Sequence, residues 1–255
     1  MKLRDKHVLL TGGSKGLGAA LAPELIRRGA RVTLIARKSA ELEAVAEQTG
    51  AVALPLDLSD LDALEGVVAT AEERNGPLDV LLSNAALVRL APFADFSADD
   101  LRCQLFTNLI APMELARQAV PGMLARGRGL IINVASLSAS VSVPNTVGYS
   151  VSKTGLAKFT VDLQTELRGT PVKAMLVSLG AVGGTPMLRQ FEEDPRTGGL
   201  VSRIKTLTTP AADVARRILD GAESGRAYVT VPKLMTPLVY YNVGPMRLIG
   251  RAVDL

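Results

Sequence analysis

The sequence predicts one α/β domain: a doubly wound, Rossmann-like sandwich of about seven mostly parallel strands with helices on both faces. Short apolar runs, typical of buried strands, alternate with longer stretches in which apolar residues recur at helical spacing. The strand-like runs are apolar throughout rather than at every second residue, which indicates a sheet covered on both faces. No internal repeat or linker divides the 255 residues, so we predict a single domain over 1–255.

The candidate strands follow one another along the chain, separated by helical stretches. Their ranges are 7–11, 31–35, 51–56, 79–83, 130–134, 173–178 and 227–231. Apolar residues recur at helical spacing up to Gly29 after the first strand and up to Gly221 before the last one. In parallel sheets of this kind ligands bind at the carboxyl ends of the strands, so functional residues are expected directly after each run.

Two segments depart from this alternation. Residues 183–210 contain two Gly pairs and little strand character, and a long irregular segment beside the ligand edge predicts a substrate lid. Residues 232–255 form a C-terminal tail that includes the apolar stretch 234–241. We expect the tail to pack on a neighbouring subunit or to contact a membrane surface, and the sequence leaves both open. Three carboxylates in the lid segment are interpreted as a solvated loop face: Glu192, Glu193 and Asp194.

Composition excludes several classes of protein. Lys and Arg number 29 against 25 Asp and Glu and form no basic run, which argues against nucleic acid binding. His7 and Cys103 are the only residues of their types, so we predict no internal disulfide, no Ser-His-Asp triad and no metal site. We assign His7, at the start of the first strand, a structural role. No apolar stretch fits a signal peptide or a transmembrane helix, so we expect a cytoplasmic protein.

A glycine-rich turn follows the first strand, and helical spacing begins at once. Gly12 allows a tight turn, Gly16 lets a pyrophosphate approach the backbone, and Gly18 lets helix and strand pack closely. An ordinary glycine turn explains the motif nearly as well, but its position in the first strand–helix unit favours dinucleotide binding. The cofactor-binding residues assigned to this turn are Thr11, Gly12, Ser14, Lys15, Gly16, Leu17 and Gly18.

A second constellation, Ser136, Tyr149 and Lys153, lies where the fifth strand gives way to a helix. Tyr149 and Lys153 are four residues apart and therefore project from one face of that helix. A phenol has a pKa of about 10 and acts as an acid and base near neutral pH only if a neighbouring cation favours the phenolate. Lys153 can supply that charge. Such pairs are common on exposed helices, but small residues flank this one and leave room for a ligand.

At these residues the chain resembles the short-chain dehydrogenase/reductase family, in its compact single-domain branch. The resemblance extends from the first strand to about the seventh. Each matching motif is weak alone, but their shared order and family-like separations make chance agreement improbable. The matching residues are Gly12, Gly16, Gly18, Asp57, Leu58, Ser83 with Asn84, Ala85 and Ala86, Asn108, Ser136, Tyr149 and Lys153.

The resemblance implies a role for each of these residues. Tyr149 would donate a proton to the substrate oxygen while a nicotinamide delivers hydride, and Ser136 would hold that oxygen. Lys153 would lower the tyrosine pKa and bind the nicotinamide ribose, and Asn108 would hold a water that passes protons to solvent. The other implied cofactor contacts are Asp57 and Leu58 beside the adenine, Asn84 and Ala85 in the cleft, and Val182 and Thr185 at the nicotinamide.

The chain departs from the family pattern in two places. The usual Asn-Asn-Ala-Gly after the fourth strand is Ser-Asn-Ala-Ala here, with Ala86 in place of the glycine. The usual Pro-Gly after the sixth strand is Leu179-Gly180 here, and one extra residue separates Val182 from Thr185. The second departure leaves open whether Val182 and Thr185 contact the cofactor as they would in relatives.

The resemblance implies an oxidoreductase that transfers a hydride between a nicotinamide and a carbonyl or alcohol. The candidate specificity segments, 87–96, 141–147 and the residues after Val182, are mainly apolar, which favours an apolar substrate. A catalytically silent dinucleotide-binding sensor or scaffold is one alternative, and an epimerase or dehydratase of the same family is another. Relatives usually pair long helices, so we expect a homo-oligomer that uses segment 97–124.

The end of the second strand predicts NADP(H) as the cofactor. An NAD enzyme of this architecture usually places a carboxylate there to bind the ribose hydroxyls. Ala36 stands at that position, and Arg37 and Lys38 follow. Lys15 of the glycine turn is expected near the same ribose, so these cations would surround a 2′-phosphate. An ordinary basic loop would explain Arg37 and Lys38, but it would not explain Lys15 or the missing acid.

Overall fold

A computed structural model describes residues 1–203 and 205–239. Its strands are β1 His7–Thr11, β2 Arg31–Ala36, β3 Val52–Pro55, β4 Leu78–Ser83, β5 Gly129–Ser136, β6 Val172–Leu179, β7 Val182–Gly183, β8 Thr209–Pro210 and β9 Tyr228–Val231. Within this part of the chain, seven strands form one sheet in the order β3-β2-β1-β4-β5-β6-β9, and every neighbouring pair is parallel. The strand order reverses between β1 and β4, which is where such sheets bind ligands.

Helices cover both faces of this sheet. They are α1 Gly16–Arg27, α2 Ala40–Thr49, α3 Val67–Asn75, α4 Ala98–Leu105, α5 Ala111–Ala125, α6 Val147–Glu166, α7 Pro186–Glu193, α8 Gly198–Arg203 and α9 Ala211–Glu223. A π-helical turn, Phe106–Ile110, joins α4 to α5. Residues of α1, α2 and α9 form the core on one face, and residues of α3, α5 and the end of α6 form it on the other.

The strands alternate between these two cores, as buried parallel strands must. In β1, Leu10 belongs to the first core and Leu9 to the second, and both side chains are fully buried. In β2, Leu34 and Ile35 divide in the same way. Burial on both faces explains why these runs are apolar throughout, and the predicted doubly wound sandwich is confirmed.

All seven predicted strands are present, each within two residues of its predicted ends. One predicted helix end is wrong, because α9 continues past Gly221 to Glu223. A Cβ atom at Gly221 would lie 2.3 Å from Cγ2 of Val229 on β9. This glycine therefore serves close packing of a helix on a strand rather than helix termination.

The segment 183–210 is not the irregular stretch that its glycines predict. It contains α7, α8 and strand β8, which pairs with β7. Helix α7 begins where the Thr185 side chain accepts a hydrogen bond from the backbone N–H of Leu188, and Pro186 stands at the first helical position. A Thr cap followed by Pro is a helix-start signal, and the sequence interpretation missed it.

His7 is fully buried and makes structural hydrogen bonds. Its Nδ1 lies 2.6 Å from the carbonyl oxygen of Gly76, and its Nε2 lies 2.9 Å from Oγ1 of Thr33. Because a carbonyl only accepts, Nδ1 carries the proton and Nε2 accepts from the Thr33 hydroxyl. Burial lowers the pKa of His7, so the ring is neutral at physiological pH. This agrees with the structural role expected for it.

Of the C-terminal tail 232–255, residues 240–255 lie outside the described part of the chain. The expected contact of the tail with a second subunit or a membrane therefore falls mostly on residues that the structure does not describe. Leu234 and Leu238 lie within it and are 74% and 42% exposed. Among the described helices, none combines the length and apolar character needed to cross a bilayer. Residues 1–203 and 205–239 contain no group of three or more His, Cys, Asp or Glu side chains arranged to hold a metal ion.

Candidate active site

Ser136, Tyr149 and Lys153 come together at the carboxyl end of the sheet. Ser136 is the last residue of β5, and the other two occupy the first two turns of α6, which packs against that strand. Tyr149 is 6% exposed, and the nearby Ser136 side chain acts to lower its pKa. Lys153 is 2% exposed; its Nζ donates to the carbonyl oxygen of Val134 at 2.8 Å and lies 5.9 Å from the Tyr149 ring centroid.

Burial determines the protonation of both side chains. It raises the pKa of Tyr149, and the Ser136 side chain opposes this effect in part. It lowers the pKa of Lys153 to about 7. The sequence reasoning assumed a fully charged lysine that depresses the tyrosine pKa. In this structure desolvation dominates instead, because none of the carboxylates that the structure describes accompanies the amine.

Asn108 lies in the π-helical turn and is fully buried. Its Nδ2 donates to the carbonyl oxygen of Leu87 at 2.8 Å and to Oγ of Ser152 at 3.0 Å, while its Oδ1 accepts from the Leu87 N–H at 2.7 Å. The side chain therefore ties the loop after β4 to α6. Both of its N–H donors are used, which limits a water-holding role for the side chain to the second lone pair of Oδ1.

The glycine turn has the close approaches that its spacing predicts. A Cβ atom at Gly18 would lie 1.9 Å from the carbonyl oxygen of Gly12, so no larger residue fits there. Gly16 has φ +55° and would meet Thr185 at 3.3 Å, so the turn lies next to the start of α7. The backbone is thus exposed at the N-terminus of α1, and this cradle fits the pyrophosphate of a dinucleotide.

Thr11, Asn84 and Ala85 support this cradle from below. Oγ1 of Thr11 accepts hydrogen bonds from the backbone N–H groups of Asn84 at 3.0 Å and Ala85 at 3.1 Å. Nδ2 of Asn84 donates back to the carbonyl oxygen of Thr11 at 3.1 Å. These contacts fix the end of β1 against the end of β4, which places all three residues at the floor of the cleft.

The basic residues assigned to the adenosine end are exposed. Arg37 and Lys38 follow β2 and are open to solvent. The pKa of the nearby Asp57 is lowered mainly by a hydrogen bond from the Ser59 backbone N–H and to a smaller extent by the charge of Arg37. Leu58 is 6% exposed and belongs to the core beneath. Lys15 does not stand free, because its Nζ lies 2.7 Å from Oε1 of Glu41. Sequence reasoning missed this carboxylate, which lies inside α2 rather than at the strand end.

Val182 and Thr185 lie where the altered loop after β6 meets the glycine turn. Val182 is in β7, in register with Thr209 of β8. The Thr185 hydroxyl donates to the carbonyl oxygen of Val182 at 2.8 Å and also caps α7. The hydroxyl therefore holds the start of α7 against the loop after β6.

Helix α7 forms a roof over Tyr149. The rings of Phe191 and Tyr149 meet edge to face, with centroids 6.3 Å apart. Nδ2 of Asn145 donates to Oδ2 of Asp194 at 3.1 Å, just after α7 ends. Asp194 also accepts from the Thr197 N–H at 2.9 Å, so this carboxylate has partners within the chain, whereas Glu192 and Glu193, at the end of α7, are exposed as expected. The sequence contains no signal for this contact because its partners are 49 residues apart.

A cavity of about 590 Å³ opens beside this roof. Its walls are residues 87–90, the α4 residues Asp99, Asp100 and Cys103, the α7 residues Gln190 and Glu193, and Asp194 just after α7. Ser136, Tyr149 and Lys153 do not line it. The cavity therefore lies beside these three residues rather than among them.

Comparison with known proteins agrees with the Rossmann-like class that this fold defines. A solved short-chain dehydrogenase from Streptomyces avermitilis has a TM-score of 0.80 over 97% of this chain and 95% of that chain, at 22% identity, which shows the shared fold. The family model for short chain dehydrogenases matches residues 6–196. The chain belongs to the short-chain dehydrogenase/reductase family.

Two relatives illustrate the range of this family. The chain is 38% identical over 190 residues to the ketoacyl reductase HetN of Nostoc sp., covering 72% of this chain and 66% of that protein. It is 30% identical over 207 residues to the NADP-dependent 3-hydroxy acid dehydrogenase YdfG of Salmonella typhi, covering 80% and 84%. Several curated relatives are spanned over only 60% to 66% of their length.

Proposed function

We propose that this chain is an NADP(H)-dependent oxidoreductase that interconverts a carbonyl and an alcohol. The observation that carries the proposal is the buried Tyr149, near Ser136 and next to the Lys153 amine. When bound, the nicotinamide exchanges a hydride with the substrate carbon. Ser136 binds the substrate oxygen, and Tyr149 donates the proton to that oxygen in reduction or accepts it in oxidation. The protonated form of the Lys153 amine, whose pKa burial lowers to about 7, would favour the tyrosinate, and the amine would bind the ribose.

Consumption of NADPH with a panel of ketones and aldehydes tests this proposal. The loops that approach the site carry exposed Leu87 and Val141, which supports an apolar carbonyl substrate. We expect apolar ketones to be reduced faster than small charged ones. The catalytically silent sensor or scaffold predicts instead that NADPH binds and that no member of the panel is reduced.

The preference for NADP(H) is supported by Arg37, Lys38 and Lys15 and by the 3-hydroxy acid dehydrogenase relative, which is named as NADP-dependent. We expect Arg37→Ala to weaken NADPH binding by about tenfold and NADH binding by less than about twofold, since only NADPH carries the phosphate that pairs with the guanidinium. The measurement is catalytic efficiency with each cofactor. A loss shared equally by both cofactors would mean that Arg37 does not bind the phosphate.

We also propose that α7 and α8, within the segment 183–210, act as the substrate lid. Asn145 holds this lid closed through Asp194, and the carbonyl oxygen of Asn145 accepts from the Ala91 N–H at 3.2 Å. Asn145 has φ +60°, a conformation that is strained for a residue other than glycine. The strain therefore lies at the residue that connects the lid, through Asp194, to the loop that contains Ala91. Phe191 of the lid packs its ring against the ring of Tyr149.

Asn145→Gly tests the lid, because glycine accepts a positive φ and only the contacts of the amide side chain are lost. We expect KM for the carbonyl substrate to rise about fivefold to tenfold, with faster trypsin cleavage at Arg196, since a hydrogen bond to a charged group is lost. Asp5→Gly is the matched control, because Asp5 has φ +61° and lies outside the site. Unchanged KM and unchanged cleavage in Asn145→Gly would contradict the lid.

Assembly as a homo-oligomer through segment 97–124 and residence in the cytoplasm are further parts of this proposal. Met113 and Leu124 on α5 are 38% and 39% exposed, which supports burial of this helix against a second copy. Light scattering of the purified chain tests the oligomer, and a monomer mass would contradict it.

A further inference from the structure

Glu41 lies in the first turn of α2, on the side of the cleft where the ribose 2′-phosphate of NADP(H) is proposed to bind. Its Oε1 is 2.7 Å from Nζ of Lys15, and both side chains are about half exposed, at 50% and 56%. This is the only ion pair between the glycine turn and α2 in the part of the chain that the structure describes. The cation expected to read the phosphate therefore already has an anionic partner.

Other donors converge on the same carboxylate. Hydrogen bonds from Lys15, from the backbone N–H of Glu41 and from Ser39 lower the pKa of Glu41 to about 2. Ser39 is the N-cap of α2, so the carboxylate lies at the positive end of a helix. Ammonium, hydroxyl and free helical N–H groups are also the donors that bind phosphate at helix N-termini.

We infer that the Glu41 carboxylate occupies the subsite of the 2′-phosphate and competes with it from within the chain. This inference rests on the proposed use of NADP(H). A phosphate entering the subsite must take Lys15 from Glu41, and it carries about two negative charges that the nearby carboxylate repels. The unphosphorylated ribose of NADH makes no such demand. Glu41 is thus a specificity-determining residue that narrows the preference for NADPH over NADH.

The competing use of the same carboxylate is direct binding of the ribose hydroxyls. A carboxylate at the end of β2 usually has that role in NAD enzymes, although it then follows the strand directly. The Lys15 contact argues against this use here, because a carboxylate held by an ammonium and a helix end has fewer lone pairs left for hydroxyl donors. The two uses predict opposite results for the same variant.

Glu41→Gln separates them, with Glu43→Gln as the matched control. Glu43 lies in the same first turn and is exposed, and its substitution removes an identical charge. The dissociation constants of NADPH and NADH are measured by titrating the nicotinamide fluorescence, which requires no turnover and no known substrate. The chain has no Trp to interfere with that emission.

We expect Glu41→Gln to tighten NADPH binding by about threefold to fivefold and to leave NADH binding within about twofold, the upper part of the range for exposed charge pairs. Glu43→Gln should change neither. The gain should shrink at about 1 M salt, where the screening length falls to about 3 Å.

Three results would overturn the inference: weaker NADH binding in Glu41→Gln, unchanged binding of both cofactors, or weaker NADPH binding. The first makes Glu41 a ligand of the ribose hydroxyls, the second makes it a bystander, and the third makes it a support that aims Lys15 at the phosphate. Failure of the proposed cofactor preference is seen separately, because the unmodified chain would then bind NADH as tightly as NADPH.

Discussion

Tyr149→Phe is expected to reduce kcat by about 10² to 10⁴-fold, the contribution typical of a positioned general acid. The variant keeps the ring, and with it the edge contact to Phe191, so only the hydroxyl with its transferable proton and its interaction with Ser136 are lost. Cofactor affinity should therefore stay within about twofold of the unmodified chain. Initial rates with the best carbonyl substrate, together with a fluorescence titration of NADPH, provide both quantities.

The outcome against this assignment is equally clear. If Tyr149→Phe retained more than about a tenth of the rate, another group would supply the proton, since loss of a general acid costs at least about 10²-fold. Thr154→Val serves as the control, because Thr154 is on the same helix, its hydroxyl donates to the carbonyl oxygen of Ser150 and it plays no part in the proposed chemistry. We expect that variant to keep near-normal activity.

Lys153→Met is expected to abolish turnover, to weaken NADPH binding by at least about tenfold and yet to stabilise the folded chain. Activity falls because the amine that favours the tyrosinate and binds the ribose is gone. Stability rises because the unmodified chain holds this amine almost fully buried, without a carboxylate partner among residues 1–203 and 205–239. Opposite effects on activity and stability are typical of residues retained for function.

The size of the stability change follows from the pKa of Lys153. Burial lowers it from 10.5 to about 7, and one pKa unit corresponds to about 1.4 kcal/mol, so charging the buried amine costs on the order of 5 kcal/mol. The variant also leaves the carbonyl oxygen of Val134 without its donor, which costs about 1–3 kcal/mol. We expect a net gain of about 2 kcal/mol in the free energy of unfolding near pH 7.

The pH dependence identifies the cause. Between about pH 7 and pH 10.5 the unfolded chain binds a proton on Lys153 that the folded chain lacks, so the stability of the unmodified protein rises with pH across this window. Lys153→Met has no such proton. Its advantage in urea unfolding should therefore be largest at about pH 7 and below, and shrink by about pH 10. A stability difference independent of pH would show that desolvation of the amine is not its origin.

The sequence by itself determined the sheet, the glycine turn and the shared helix face of Tyr149 and Lys153. A strand buried on both faces must be apolar throughout, and a glycine at Gly18 is required by a backbone contact inside the same turn. Tyr149 and Lys153 face one side because helix geometry brings residues four apart together. These features depend on neighbours close in sequence, so a pattern in the chain is enough to reveal them.

Only the tertiary structure decided the partners and charge states at the edges of the site. Lys15 meets Glu41, and Asn145 meets Asp194, through side chains far apart in sequence that no local pattern links. Burial of Lys153 lowers its pKa to about 7, and burial is a property of everything packed around the amine. The physical reason is the same in each case: pairing and desolvation depend on distances in the folded chain, which spacing along the sequence does not encode.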